Sequence, residues 1–188
     1  PQNPKTPMIW MDFIIYNIKL KIISFKSEFG FTLDEFLKKH KMNPCAVCGV
    51  IRRYLMNKGA RNSGATTLVT GHNLDDEAQT VLMNQFKGNV QLSAKLGPVT
   101  GVIENKKFIK RIKPLYFVTE KEVTTYAFIK EFMDKISECP YNPKSYRGSI
   151  RDMVNEFEAK YPGTKHGILN SFLEIMPLLR KDYKVGEI

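Results

Sequence analysis

The run Thr66-Thr67-Leu68-Val69-Thr70 is apolar and β-branched, and it ends on Gly71-His72 and an Asn73 that reads as a helix cap. A buried strand that turns into a helix in so few residues is the unit of a layered α/β fold, so this segment most constrains the architecture. The rest of the chain repeats the alternation. Ile22-Ile23-Ser24-Phe25 reads as a short strand, and Thr32 with Glu35 forms a capping box that opens a helix to about His40. Phe31 and Phe36 occupy hydrophobic-staple positions around that cap. Asn43-Pro44 starts a second helix, through Leu55 to near Gly59, and Asn73 starts a third, from Leu74 to about Phe86. Residues 88–107 read as loops with at most a short helix, and Ile109 to Leu115 as a basic strand. Thr119 with Glu122 opens a helix to about Lys135, Ser149 with Asp152 opens one to Lys160, and after Pro162-Gly163 a last helix runs to about Leu179. The expectation is an α/β fold with a largely parallel sheet and additional C-terminal helices.

At 188 residues the chain suits one compact domain. Twenty-nine Lys and Arg against 19 Asp and Glu leave a formal charge of +10, which suits either a polyanionic partner or an ordinary basic surface. An odd count of three cysteines argues against a secreted disulfide scaffold and for a reducing, cytoplasmic setting. No membrane span is expected: the apolar opening from Met8 to Phe25 is broken by Asp12, Asn17, Lys19 and Lys21. It also lacks the basic start and cleavage site of a signal peptide. A chain beginning on Pro1 is read as a fragment or a processed product.

Cys45 and Cys48 form a C-x-x-C pair, and Cys139 follows 91 residues after Cys48. With Pro44 at the first helical position, both thiols of the pair fall in the opening turns, where the helix dipole favours thiolate. Cys45, Cys48 and Arg52 follow an i, i+3, i+7 spacing and share a helix face, so Arg52 is expected to stabilise thiolates further. Residues alone leave four readings open: a redox pair, part of a zinc site, a three-cysteine iron–sulfur site, or an unrelated buried thiol at Cys139.

The acidic turn is Gly71-His72-Asn73-Leu74-Asp75-Asp76-Glu77-Ala78, at the carboxyl end of the expected strand, where open α/β sheets bind ligands. Gly71 would allow close approach of a nucleotide, and Asp75 with Asp76 could hold Mg²⁺ through oxygen. The competing reading is purely structural: a capped helix with acids at its positive end. Lys106 to Lys113 carries five cations in eight residues, and Arg147, Arg151, Lys160 and Lys165 gather late in the chain. Tyr141 and Tyr146 flank that late group and could stack on bases.

Taken in order, Cys45-Ala46-Val47-Cys48-Gly49, the Gly71–Ala78 turn, Glu138-Cys139-Pro140-Tyr141, Tyr146-Arg147-Gly148-Ser149-Ile150-Arg151 and Tyr161-Pro162-Gly163-Thr164-Lys165 form a combination far more specific than any one motif. The chain resembles, from about Ile23 to Leu179, the cytoplasmic tRNA 2-thiolation enzymes of the TtcA/TtuA group of PP-loop ATPases, and within them the archaeal and eukaryotic wobble-uridine branch. The resemblance implies a partial adenine-nucleotide α-hydrolase-like (Rossmann-like) fold that binds ATP, Mg²⁺ and tRNA. In that family ATP adenylates the uridine C2 oxygen and a sulfur nucleophile then displaces AMP. The family's three cysteines, which hold a 4Fe-4S cluster with one iron open to sulfide, match Cys45, Cys48 and Cys139. Gly71, His72 and Asp76 match the ATP-contacting turn, Asp76 also matches a catalytic acid, and Arg52 falls where the family has a catalytic Lys or Arg. Arg147, Arg151 and Lys165 are the tRNA-binding residues on this reading. The expected partners are a ubiquitin-like sulfur carrier with a C-terminal thiocarboxylate and a second copy of the chain.

The sequence departs from that family in two ways. The Ser-Gly-Gly-Lys-Asp-Ser loop that cradles ATP phosphates is absent from these 188 residues, as are the branch's terminal zinc-binding cysteine pairs. The expected organisation is therefore an unassigned segment 1–17, a partial PP-loop ATPase-like α/β domain 18–135, and a C-terminal helical part 136–188. Two accounts fit: a fragment of a thiolation enzyme with little turnover alone, or a degenerate homologue that binds tRNA without catalysis, with zinc or nothing at the cysteines.

Overall fold

The computed structural model describes residues 19–100, 108–132, 139–141 and 145–183. Helices dominate, in the order α1 (Phe25–Phe29), α2 (Leu33–Lys39), α3 (Pro44–Asn62), β1 (Thr67–Val69), α4 (Leu74–Phe86), α5 (Val90–Ser93), β2 (Val99–Thr100), β3 (Lys110–Ile112), α6 (Glu120–Ile129), α7 (Tyr146–Lys160) and α8 (Thr164–Asp182). The fold is mixed α/β, as its alternating pattern predicts.

Local capping chemistry sets most helix starts. Thr32, Asn73 and Thr119 each accept from the backbone N–H three residues on, and the acid at that position bonds back to the cap. The staple is also present, with the Phe31 and Phe36 rings 5.4 Å apart. Asn43 caps α3 with Pro44 in its first turn.

Several boundaries differ from expectation. Residues 22–25 are not a strand: Ser24 caps α1 and Phe25 is its first residue. Ile23 instead packs on α3, where a Cβ on Gly59 would come within 2.4 Å of the Ile23 Cδ1 atom. This close approach explains a glycine inside α3, which runs on to Asn62. The basic strand shrinks to Lys110–Ile112. Helix α6 stops at Ile129 because Glu131 turns left-handed, with φ 58°. Helix α7 begins at Tyr146 because Ser145, not Ser149, supplies the cap, accepting from the Gly148 N–H. The expected segment 1–17 and the cations Lys106 and Lys107 lie outside the described residues.

The sheet has strand order β1-β3-β2, with β1 parallel to β3 and β2 antiparallel to it. It is thus mixed rather than largely parallel. Strand β1 is also not buried throughout, since Val69 is exposed. The core lies instead between helices. Leu74 and Val81 of α4 meet Leu169 and Phe172 of α8 and Tyr116 from the loop after β3. Helix α7 adds Ile150 and Val154 to the interior.

Helix α8 starts on Gly163, which is left-handed with φ 94° and provides no side-chain cap. Glu158 of α7 supplies the missing acceptor, taking the backbone N–H groups of Gly163 at 2.9 Å and Lys165 at 2.8 Å. Burial works to raise the Glu158 pKa, but these two bonds overcome it and hold the carboxyl below its ordinary value.

Candidate carboxylate turn and cysteine site

The candidate site residues fall into two groups. The first surrounds the opening turn of α4. Asp76 is partly exposed, and its backbone N–H donates to Asn73 Oδ1 at 3.0 Å. Arg147 of α7 reaches the same turn: its Nη1 lies 3.8 Å from Asp76 Oδ1, and its Nη2 donates to Thr80 Oγ1 at 2.9 Å. Asp75 points the other way and is buried. One of its oxygens forms an ion pair with Lys165 of α8, and the other accepts the Glu120 N–H at 2.7 Å. Asp75 therefore ties α4, α6 and α8 together, and both oxygens are already engaged. This corrects the expectation that Asp75 is open to Mg²⁺.

Glu120, the first residue of α6, completes the group and was missed in the sequence. Thr119-x-x-Glu122 marks the helix start, but nothing local shows that this start abuts Asp75. Partial burial pushes the Glu120 carboxyl up, Asp75 and Asp76 push it further, and Lys165 and Arg151 oppose them. Below the turn, Lys113 pairs with buried Glu77 at 2.7 Å. The neighbouring Tyr116 hydroxyl is buried without a hydrogen-bond partner among the described residues. Burial, followed by the Glu77 charge, pushes its phenol well above the ordinary range.

Gly71 and His72 are exposed. A Cβ on Gly71 would meet no atom, so internal packing does not demand a glycine there. The His72 ring stays local, with Nδ1 2.9 Å from Thr70 Oγ1. Of the three cations assigned to tRNA, Lys165 is largely buried on Asp75, Arg147 bonds the α4 turn, and Arg151 lies 3.0 Å from Asp152. Tyr146 sits under Lys87, its ring centroid 4.2 Å from the ammonium.

The second group lies at the start of α3. Cys45, Cys48 and Cys139 are free thiols, the first and last exposed. Cys48 sits within the electrostatic reach of both other cysteines and of Arg52, one helical turn further along α3. The shared face of Cys48 and Arg52 is therefore real, but the charge balance differs from expectation. Burial raises the Cys48 pKa, Cys139 and Cys45 raise it further, and Arg52 only partly compensates. Tyr141 accompanies Cys139, and its hydroxyl donates to Asp34 Oδ1 of α2 at 2.5 Å. That bond, ahead of partial burial, keeps the Tyr141 phenol above its ordinary value. Among the described residues, no three His, Cys, Asp or Glu side chains converge where a single metal ion would sit. Cys45 and Cys139 both lie within electrostatic reach of Cys48, but the described thiols do not form a closed mononuclear ligand set.

The mixed α/β fold, its acid-lined strand–turn–helix and its three free thiols can now be set beside known proteins. No protein-family profile matches the chain. It is 40% identical over 175 residues to the tRNA 2-thiolation protein NcsA of Haloferax volcanii, covering 89% of this chain and 54% of that one. It is 38% identical to the tRNA-5-methyluridine(54) 2-sulfurtransferase of Pyrococcus horikoshii, covering 90% of this chain and 53% of that one. It is 37% identical to cytoplasmic tRNA 2-thiolation protein 1 of Xenopus laevis, covering 83% and 46%. Among solved structures it matches the U34-tRNA thiolase NcsA of Methanococcus maripaludis, described with its [4Fe-4S] cluster. That match has a TM-score of 0.76 and 38% identity over 90% of this chain and 56% of the other. The chain is a homologue of the tRNA 2-thiolation sulfurtransferases, and it spans about half the length of the curated relatives it matches.

Proposed function

We propose that this chain is the cysteine-bearing, carboxylate-turn part of an ATP-dependent tRNA sulfurtransferase that makes 2-thiouridine in the cytoplasm. One observation carries the reading. Cys48 lies in the fields of Cys45, of Cys139 far along the chain and of Arg52, inside a span homologous to named thiolation enzymes. The donor set fits an iron–sulfur cluster. Cys45, Cys48 and Cys139 are free, soft thiol donors of the kind such a cluster takes, and Cys48 lies within the electrostatic reach of the other two. Cys45, Cys48 and Cys139 would hold it. When bound, a cluster with three protein ligands supplies an iron at which inorganic sulfide can be presented.

The chain's own residues do the rest. The α4 turn receives the adenine nucleotide beside the open Gly71–His72 approach. Asp76, partly exposed and steadied by Arg147, faces the reacting groups as the acid–base residue. The uridine C2 oxygen attacks the ATP α-phosphorus and pyrophosphate leaves. A sulfur nucleophile then attacks C2, and AMP departs with the former C2 oxygen. Arg52 supplies positive charge beside Cys48 for the anionic sulfur. Mg²⁺ accompanies the nucleotide phosphates, which need a cradle that the described residues do not include. The basic surplus draws in tRNA, and of the three assigned cations the Arg147 side chain is the most exposed and Lys165 the least. A ubiquitin-like carrier bearing a thiocarboxylate delivers sulfur, and the enzyme works as a homodimer.

An anaerobic assay of the full-length protein with ATP, sulfide and defined tRNA tests this reading. Formation of 2-thiouridine with matching AMP, lost in Asp76→Asn, is expected. tRNA binding without AMP release or thiolation would overturn it in favour of a non-catalytic binding module.

A further inference from the structure

The Cys139 segment has one described anchor to the rest of the molecule that its neighbours make explicit. The Tyr141 hydroxyl donates to Asp34, 107 positions away, in the first turn of α2. Helix α2 is itself firmly started, by the Thr32–Glu35 capping box and the Phe31–Phe36 stack. It packs against α3, which carries Cys45 and Cys48. A continuous physical route thus runs from Tyr141 through Asp34 and α2 to the other two thiols. We propose that Tyr141 is a positioning residue, whose hydrogen bond to Asp34 holds Cys139 at the cysteine end of α3 and so sets how long a three-thiolate centre persists.

The inference rests on the cluster reading above and adds a residue to it. A phenol donating to a carboxylate makes a strong, directional bond. Without it, the exposed Cys139 segment must be ordered anew each time its thiolate ligates. Partners that orient metal ligands are commonly worth a 10–100-fold change in metal affinity.

The test uses anaerobically prepared full-length protein as wild type, Tyr141→Phe, Asp34→Ala, Asp34→Asn and the Tyr141→Phe/Asp34→Ala double variant. Loss of iron–sulfur absorbance to a ferrous chelator is timed. Alkylation of each cysteine by iodoacetamide in the metal-free protein is followed by mass spectrometry. Tyr141→Phe and Asp34→Ala should each speed cluster loss about tenfold. The double variant should be no faster than either, and Asp34→Asn, which keeps an acceptor oxygen, should stay near wild type. In metal-free Tyr141→Phe, Cys139 should label faster while Cys45 does not change. Wild-type rates in Tyr141→Phe, or single effects that multiply in the double variant, would overturn the proposal. If wild type holds no iron and sulfide, the cluster reading fails by itself. The labelling comparison then decides, and unchanged Cys139 labelling in Tyr141→Phe overturns the latch.

Discussion

The opening turns of α4 and α3 both present reactive side chains, but they are built in opposite ways. The α4 turn is fixed from beneath by buried charge: Asp75 to Lys165 and the Glu120 N–H, and Glu77 to Lys113. It also sits on the apolar cluster of Leu74, Val81, Leu169 and Phe172. The cysteine end of α3 has little of this. Cys45 and Cys139 are exposed, and Val47 and Leu55 are the buried apolar side chains of α3. The contrast teaches that the carboxylate turn is organised by the chain's own contacts, whereas on the proposed reading the thiols would gain their final arrangement from a bound cluster.

The largest effect that would sharpen this contrast is at Lys165. Replacing it with Met leaves Asp75 buried without its counter-charge, and a loss of roughly 3–5 kcal/mol is expected in denaturant titration. A loss below about 1 kcal/mol would break the account of a charge-locked turn. On the other side, Tyr141→Phe should leave the denaturation midpoint where it is, because its bond acts on an exposed loop. A clear midpoint shift there would erase the difference between the two regions.

Next in size is Glu158→Gln, which weakens the acceptor at the start of α8 and should cost about 1 kcal/mol near neutral pH. The Glu158 pKa is depressed in the folded protein, so its contribution is complete above the unfolded value near 4.5 and fades as pH falls below it. The gap between variant and wild type should therefore narrow with acid, as followed by thermal melts across pH 3–7, in steps of roughly one unit. A constant gap would contradict the assignment. The smallest effect is expected from Tyr116→Phe. It removes a buried hydroxyl that lacks a described partner, so stability should stay within about 0.5 kcal/mol of wild type or rise.

What was legible in the sequence follows the range of the forces involved. Caps at Thr32, Asn43, Asn73 and Thr119 act over three residues, so spacing reveals them. The influence of Arg52 on Cys48 was legible for the same reason, since one helix carries both. The Asp75–Lys165 pair, the Glu120 contact and the Tyr141–Asp34 bond join residues 45 to 107 positions apart, and no local pattern marks them. Lys165 and Arg147 look like surface cations in the sequence, and only tertiary packing shows that they engage α4. The false strand at residues 22–25 arose because an apolar pair before a cap resembles a strand when the helix behind it is only five residues long. The direction of the Cys48 shift was also hidden, because burial and the other two thiols outweigh Arg52.

Iron and acid-labile sulfide, measured per chain in anaerobically reconstituted full-length protein before and after Cys139→Ala, test the shared thiol centre most directly. The account predicts matched iron and sulfide with brown absorbance in wild type, and loss of both in the variant. Zinc without sulfide in wild type, or undiminished iron and sulfide after Cys139→Ala, would contradict it.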